Sequence, residues 1–301
     1  MTGDLLTARN IEVSFGGGRG VFDLGRHAVK VLQGVTIRIG RGETVGIVGE
    51  SGSGKTTLGR ALLRLIDVDS GTILFDGLDI TKLSEPAMRP IRRRMQLMFQ
   101  DPMASLNPRR TVRRIVLEPM LFHRVAANEA DAEARARTIF GRFNLPSACF
   151  DRYPHELSGG QRQRVGIARV ALLAPDFVLA DEIVSGLDVS TQAQVLNLLK
   201  GLSRDLGLSM AFISHDLSVI RAVCDRVYVL RSGRIVEEGP CEQVFAAPKD
   251  AYTSALLDAI PLPKIDPNWL GPTTRAESVG ARNRSLPRQV EDWDPGRQTR
   301  R

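Results

Sequence analysis

Eight residues, Gly49-Glu50-Ser51-Gly52-Ser53-Gly54-Lys55-Thr56, constrain this 301-residue chain more than any other stretch. They match the pattern of a phosphate-binding loop, or P-loop, which carries meaning only between a strand and a helix. Both flanks supply that setting. Thr44–Val48 is a short apolar run entering the glycines directly, and Thr57–Ile66 carries Leu58, Leu62 and Leu65 at helical spacing. The glycines let backbone N–H groups curl around phosphates, and the start of the following helix adds a favourable dipole. Lys55 can reach terminal phosphates as a point charge, and the Thr56 hydroxyl can ligate Mg²⁺. A glycine-rich turn without a ligand is the bland alternative, and the strand, loop and helix context opposes it.

Further on, Phe177-Val178-Leu179-Ala180-Asp181-Glu182 reads as an apolar strand ending in two adjacent carboxylates. Strand alternation aims such neighbours in different directions, which suits two jobs. Asp181 is expected to hold Mg²⁺ through water, and Glu182 to orient or deprotonate a water that attacks a γ-phosphate. Leu157-Ser158-Gly159-Gly160-Gln161 makes a second glycine-rich turn, opening a helix with Arg162, Arg164 and Arg169. Alone it would read as a loop. One phosphate group, however, needs only one such turn.

With these pieces in this order, the chain resembles the ATP-binding cassette (ABC) family over about residues 5–260. That resemblance implies ATP held by Gly49 to Thr57 of one cassette and covered by Ser158, Gly159, Gly160 and Gln161 of another. It implies further roles for Gln100, which would touch Mg²⁺ and the attacking water and report to a permease, and for His215, which would contact the γ-phosphate and hold Glu182. Asp188 would contact the opposite cassette, with capping of the following helix as the simpler use. Phe15 would stack on adenine; Phe22 competes for that place, and core packing is open to either. The expected catalytic residues are therefore Lys55, Gln100, Glu182 and His215, the magnesium residues Thr56, Gln100 and Asp181, and the cofactors ATP and Mg²⁺.

Around these motifs the expected architecture is α/β: a P-loop NTPase core of mostly parallel sheet with flanking helices. A small antiparallel subdomain joins it, because Leu5–Phe15 and Val35–Ile39 alternate apolar with polar residues. From about 101 to 165 an inserted helical subdomain is expected, with Asn128 capping an Ala/Glu/Arg-rich helix. Strand character returns at Phe177–Ala180 and Met210–Ser214, then at a hairpin of Val227–Leu230 and Arg234–Glu237 across Ser232-Gly233. Residues 1–260 would form the nucleotide-binding domain. Residues 261–301, rich in Pro and Arg, would form an extension that is partly disordered.

Several stretches resemble the oligopeptide, dipeptide and nickel importer branch of the family. They are Phe99-Gln100-Asp101-Pro102-Met103-Ala104-Ser105-Leu106-Asn107-Pro108-Arg109, Tyr153-Pro154-His155-Glu156, and Ala251–Leu257 leading into Ile260-Pro261-Leu262-Pro263. The resemblance implies an ATP-hydrolysing subunit of a bacterial peptide importer, peripheral on the cytoplasmic face of the inner membrane. Its implied partners are a second cassette, a paralogue favoured over an identical copy, two permease subunits and an extracytoplasmic substrate-binding protein. Import of a nickel chelate or a glutathione-like peptide is the alternative within the branch. A soluble ATPase acting on nucleic acid or ribosomes is the rival outside it. This chain has neither the long coiled coil nor the second cassette that rival would need, and no nucleic-acid partner is expected. Ile183-Val184 departs from the Pro-Thr that many relatives carry there, leaving both carboxylates in place.

Composition narrows the classes further. No run approaches the roughly 18 apolar residues of a membrane-spanning helix. The start, MTGDLLTARN, lacks the pattern of a secretion signal. Three widely spaced cysteines, Cys149, Cys224 and Cys241, suggest neither disulfides nor a metal site, and His27, His123 and His155 show no ligand spacing. The net charge is +7, and from Lys264 onward eight basic residues face five acidic ones, so much of the excess is read as a solvated tail. The run Arg92-Arg93-Arg94 is likewise read as a solvated face, and Met95, Met98 and Met103 as packing.

Overall fold

The computed structural model describes residues 3–16, 28–99 and 106–259, so Phe22, His27, Gln100, Met103 and the segment 260–301 lie outside the described residues. Two sheets organise the rest. One is antiparallel, built from β1 (Asp4–Phe15), β2 (Val29–Gly40), β4 (Ser70–Phe75) and β5 (Leu78–Asp79) in the order β2-β1-β4-β5. The other contains β3 (Thr44–Val48), β6 (Met95–Met98), β7 (Phe177–Asp181), β8 (Ser209–Ile213), β9 (Arg226–Arg231) and β10 (Arg234–Pro240). Its order is β10-β9-β3-β8-β7-β6. All its pairings are parallel except that of β9 with β10.

Parallel strands covered on both faces must be apolar throughout, and β3 and β8 are buried at every position. Helix α1 (Lys55–Leu62) packs against the sheet at Gly59, where a Cβ would meet Leu179 Cδ2 at 2.6 Å and Ile213 Cδ1 at 3.0 Å. Phe177 and Phe212 are fully buried in the same layer, each worth about 1.5–3 kcal/mol of transfer free energy. The two sheets are joined through Tyr228, whose hydroxyl accepts from the Arg38 N–H at 3.1 Å and donates to the Arg38 carbonyl at 3.0 Å.

A third body of structure is helical: α3 (Val112–Phe122), α4 (Glu129–Arg142) and the start of α5 (Gly159–Ala171), with 3-10 turns at Ser147–Asp151 and Pro154–Glu156. It buries its own apolar residues, among them Leu117, Met120, Phe140 and Phe150, the last two meeting edge to face at 5.4 Å. Asn128 caps α4 by accepting from the Asp131 N–H at 3.0 Å. The remaining helices are α2 (Glu85–Arg94), α6 (Val189–Leu206), α7 (Leu217–Val223), α8 (Cys241–Ala246) and α9 (Ala251–Asp258). Among the described residues no helix is long and apolar enough to cross a membrane.

Three local expectations need correction. Helix α1 ends at Leu62 rather than Ile66, because Arg64 turns left-handed and its guanidinium bonds the Ile80 carbonyl and Asp67. The arginine run is not a solvated face. Arg92 donates to the Leu63 and Arg64 carbonyls, and Arg94 joins Asp76 to Asp176. The second strand of the antiparallel sheet begins at Val29, six residues before the alternation at Val35–Ile39, because pairing with β1 continues past Gly34 to Phe15.

Candidate functional site

The strand order brings the separate motifs to one edge. Strands β3, β8, β7 and β6 are neighbours, and Ile47, Ile213 and Asp181 stand in one row across them. Each strand therefore delivers its following residues to the same carboxyl end: Gly49 onward from β3, Ser214-His215 from β8 and Glu182 from β7. Open α/β sheets bind ligands there, where backbone donors are free.

The P-loop itself is built from backbone conformations that side chains resist. Gly49, Gly52 and Gly54 have φ of 150°, 80° and 107°. A Cβ on Gly49 would collide with the Leu230 carbonyl, so only glycine lets the loop pass under the β9–β10 turn. That turn reaches back: Gly233 N–H donates to the Ser53 carbonyl, and Gln33 N–H donates to the Gly233 carbonyl, both at 2.9 Å. Within the loop, Lys55 is 7% exposed and its ammonium donates to the carbonyls of Gly49 at 2.7 Å and Glu50 at 2.8 Å. An ammonium has three donors, so one remains for an incoming phosphate. Burial pulls the Lys55 ammonium below its usual range, against the carboxylates of Glu182, Asp181 and Glu50, which favour its charge.

The two strand-end carboxylates sit in different surroundings. Asp181 faces the Thr56 hydroxyl; burial, then the Glu182 charge, push its carboxyl above the ordinary value, with Thr56, Arg60 and Lys55 pulling the other way. Asp181 Oδ1 and Ser53 Oγ are both buried without a hydrogen-bond partner among the described residues. Unpaired buried oxygens of this kind cost stability unless a ligand supplies the missing contact. A divalent cation beside Thr56 and Asp181 fits the oxygen donors there. Glu182 departs from strand alternation altogether. Its φ is 50°, a left-handed conformation that costs a non-glycine residue about 1–3 kcal/mol. This turn carries the carboxylate toward His215, whose Nδ1 stands 3.5 Å from Glu182 Oε1.

One open cleft is lined by Phe15, Val31, Ser51, Gly52, Gly54, Lys55, Thr56, Thr57, Glu182 and His215. Phe15 is half exposed at its rim, free to take a flat ring. Ser158 to Gln161 are not among its lining residues. They open α5, where Gln161 N–H donates to Ser158 Oγ at 3.3 Å and Ser158 N–H donates to Gln161 Oε1 at 3.0 Å, a reciprocal capping box.

The ABC transporter family model matches residues 32–185, about half of the chain. The chain belongs to the ABC transporter family. It is 54% identical over 238 residues to a Brucella ovis protein provisionally named a peptide import ATP-binding protein, covering 79% of this chain and 75% of that one. It is 46% identical over 264 residues to the oligopeptide transport ATP-binding protein AmiF of Streptococcus pneumoniae, covering 87% and 83%. Among solved structures, a dimeric ATP-binding cassette in a post-hydrolysis state bound to ADP and phosphate superposes with a TM-score of 0.69 at 28% identity. That match covers 78% of this chain and 98% of that one.

Within this ABC cassette, Asp188 caps α6: it accepts from the Thr191 N–H at 2.9 Å and from the Thr191 hydroxyl at 2.7 Å. The family substitution Ile183-Val184 packs into the interior, both side chains being buried. Two residues that motif reading did not single out belong to the site. Val31 lines the cleft beside Gly54 of the P-loop, and Gln163 on α5 is buried and donates to the Ile183 carbonyl, tying that helix to the turn after Glu182. Val31 lies before the alternating run at Val35–Ile39, and Gln163, though on the helix opened by the second glycine-rich turn, meets Ile183 only through the fold.

Proposed function

We propose that this chain is the ATP-hydrolysing subunit of a bacterial importer that takes up peptides through a membrane permease, driven by closure of a cassette dimer. The observation that carries the reading is the split of the site. P-loop, Glu182 and His215 share one cleft, whereas Ser158 to Gln161 stand outside it, so a second cassette is needed to cover a bound nucleotide. The names of its relatives, peptide import and oligopeptide transport ATP-binding proteins, support the cargo class.

In this reading Gly49 to Thr57 cradle the ATP phosphates with backbone N–H groups, Lys55 turns its third donor to the terminal phosphates, and Phe15 takes the adenine ring. Thr56, Asp181 and Gln100 would hold Mg²⁺. When bound, that ion neutralises charge on the phosphate oxygens. Glu182 accepts a proton from the attacking water, and His215 keeps the carboxylate and the γ-phosphate in register. The left-handed backbone of Glu182 supports this role, because strained conformations concentrate where a side chain must be aimed. Ser158, Gly159, Gly160 and Gln161 donate to the phosphates held by the other cassette, and Asp188 meets that cassette across the interface.

The partners in this reading are a second ATPase subunit, a paralogue rather than an identical copy, two permease subunits, and an extracytoplasmic binding protein that delivers the peptide. The chain sits as a peripheral protein on the cytoplasmic face of the inner membrane. The test is reconstitution of the native membrane complex into vesicles with a labelled peptide. ATP-dependent uptake that stops with Glu182→Gln is expected. Recovery of the chain with ribosomes or nucleic acid, and without a permease, would overturn the reading.

A further inference from the structure

The first residue of the P-loop after Gly49 has a partner from the far end of the chain. Glu50 N–H donates to the Tyr252 hydroxyl at 2.9 Å, across 202 residues of sequence. Tyr252 lies on α9 and is buried, with the Arg231 guanidinium 4.9 Å from its ring centre. The helix is fixed at its N-terminus. Asp250 accepts from the Tyr252 N–H at 2.8 Å, and the Glu237 carboxylate of β10 accepts from the N–H groups of Lys249 at 2.9 Å and Asp250 at 3.1 Å. The hydroxyl is thus held at a set height beside the loop rather than on a free side chain.

We infer that Tyr252 is a positioning residue for the P-loop, holding the Gly49-Glu50 peptide in its nucleotide-accepting orientation. The inference rests on the reading of Gly49 to Thr57 as the ATP phosphate cradle. Lys55 grips the carbonyls on one side of this turn and Tyr252 grips the N–H of Glu50 on the other. When phosphate enters, it takes the third donor of the Lys55 ammonium, and the Tyr252 bond holds the Glu50 N–H side of the turn unchanged. A loop held in its bound shape beforehand spends less of its binding free energy on ordering. This assigns the C-terminal helix a part in nucleotide affinity.

The experiment uses the full chain with a fluorescent ATP analogue and magnesium, comparing wild type, Tyr252→Phe and Glu237→Gln. Loss of one hydrogen bond predicts a rise in Kd of about three- to tenfold for Tyr252→Phe. Glu237→Gln loosens α9 but keeps the hydroxyl, so it lowers the thermal midpoint with a smaller change in Kd. Wild-type protein that fails to bind the analogue would remove the underlying reading instead. Wild-type binding with an unchanged Kd in Tyr252→Phe overturns the inference, as does a Kd that follows the thermal midpoint in both variants alike. A measurement on wild type alone gives a second check: the Glu50 amide should exchange slowly with deuterium in the absence of nucleotide, and fast exchange there refutes the role.

Discussion

The two glycine-rich turns of this chain are held in opposite ways. Gly49 to Thr56 is tied from outside: the β9–β10 turn bonds Ser53, the Leu230 carbonyl lies against Gly49, and Tyr252 bonds Glu50. Ser158 to Gln161 is held by its own capping box, with Ser158 and Gly159 exposed and Gly160 and Gln161 half-buried. A Cβ on Gly160 would meet nothing nearer than Thr191 Cγ2 at 3.9 Å. The contrast teaches how one cassette divides its work. In the proposed function, the turn that receives ATP within the chain is preorganised by distant elements, and the turn that meets a second cassette is left clear.

Substituting each turn in kind gives the largest expected separation. Gly160→Ala should leave the thermal midpoint unchanged or slightly raised, since alanine favours helix over glycine by up to about 1 kcal/mol. Nucleotide binding by the single chain should also persist. In the proposed dimer, hydrolysis by the assembled complex should fall by about 10²-fold or more, because the methyl group would stand where the opposite nucleotide approaches. Full hydrolysis in Gly160→Ala would break the comparison. Glu182→Gln provides the reference, with hydrolysis down about 10²–10⁴-fold and binding retained.

Gly233→Ala probes the outside support of the first turn. Gly233 has φ of 77°, and a Cβ would collide with the Val31 carbonyl. Destabilisation of about 1–3 kcal/mol is expected, together with weaker nucleotide binding, read by denaturant unfolding and by titration. Ser158→Ala should cost about 0.5–2 kcal/mol from the lost cap of α5 and leave single-chain nucleotide affinity alone.

The smallest effect is on acid stability. Burial raises the Glu237 carboxyl, but the neighbouring Thr253 hydroxyl and hydrogen bonds from the N–H groups of Lys249 and Asp250 outweigh it and hold it below 4.5. The Thr191 N–H and hydroxyl hold Asp188 below 3.8. A depressed carboxyl stabilises the fold above its unfolded value and loses that contribution as pH falls through the folded value. Both Glu237→Gln and Asp188→Asn should therefore destabilise the chain at pH 7 and cease to differ from wild type well below pH 4. Of the two, only the Glu237 variant should shift nucleotide affinity, and by less than Tyr252→Phe, because α9 bears Tyr252 and keeps its hydroxyl.

Much of the site was legible because its chemistry is local. A β3 of five apolar residues, the glycines and the lysine that follow, and the Asp181-Glu182 pair each declare themselves within a few positions. Helix α2 was less legible. Its interior Pro90 argues for a break, and it is held by burial of Met88 and Ile91 and by Arg92 on the Leu63 and Arg64 carbonyls. The arginine run hid its purpose for the same reason: its partners are Asp76 and Asp176, 18 and 82 positions away from Arg94.

By itself the sequence determined the kind of chemistry, since residue types at fixed short spacing set what a loop can bind and which carboxylate ends a strand. The tertiary structure alone decided which distant groups stand together. Parallel pairing of β3, β8 and β7 set His215 beside Glu182, and a backbone turned to positive φ, which periodicity does not reveal, aimed that glutamate. The docking of α9 brought Tyr252 to Glu50. Such contacts depend on packing and chain topology, whose free energy is shared over many residues and leaves no pattern at any one of them.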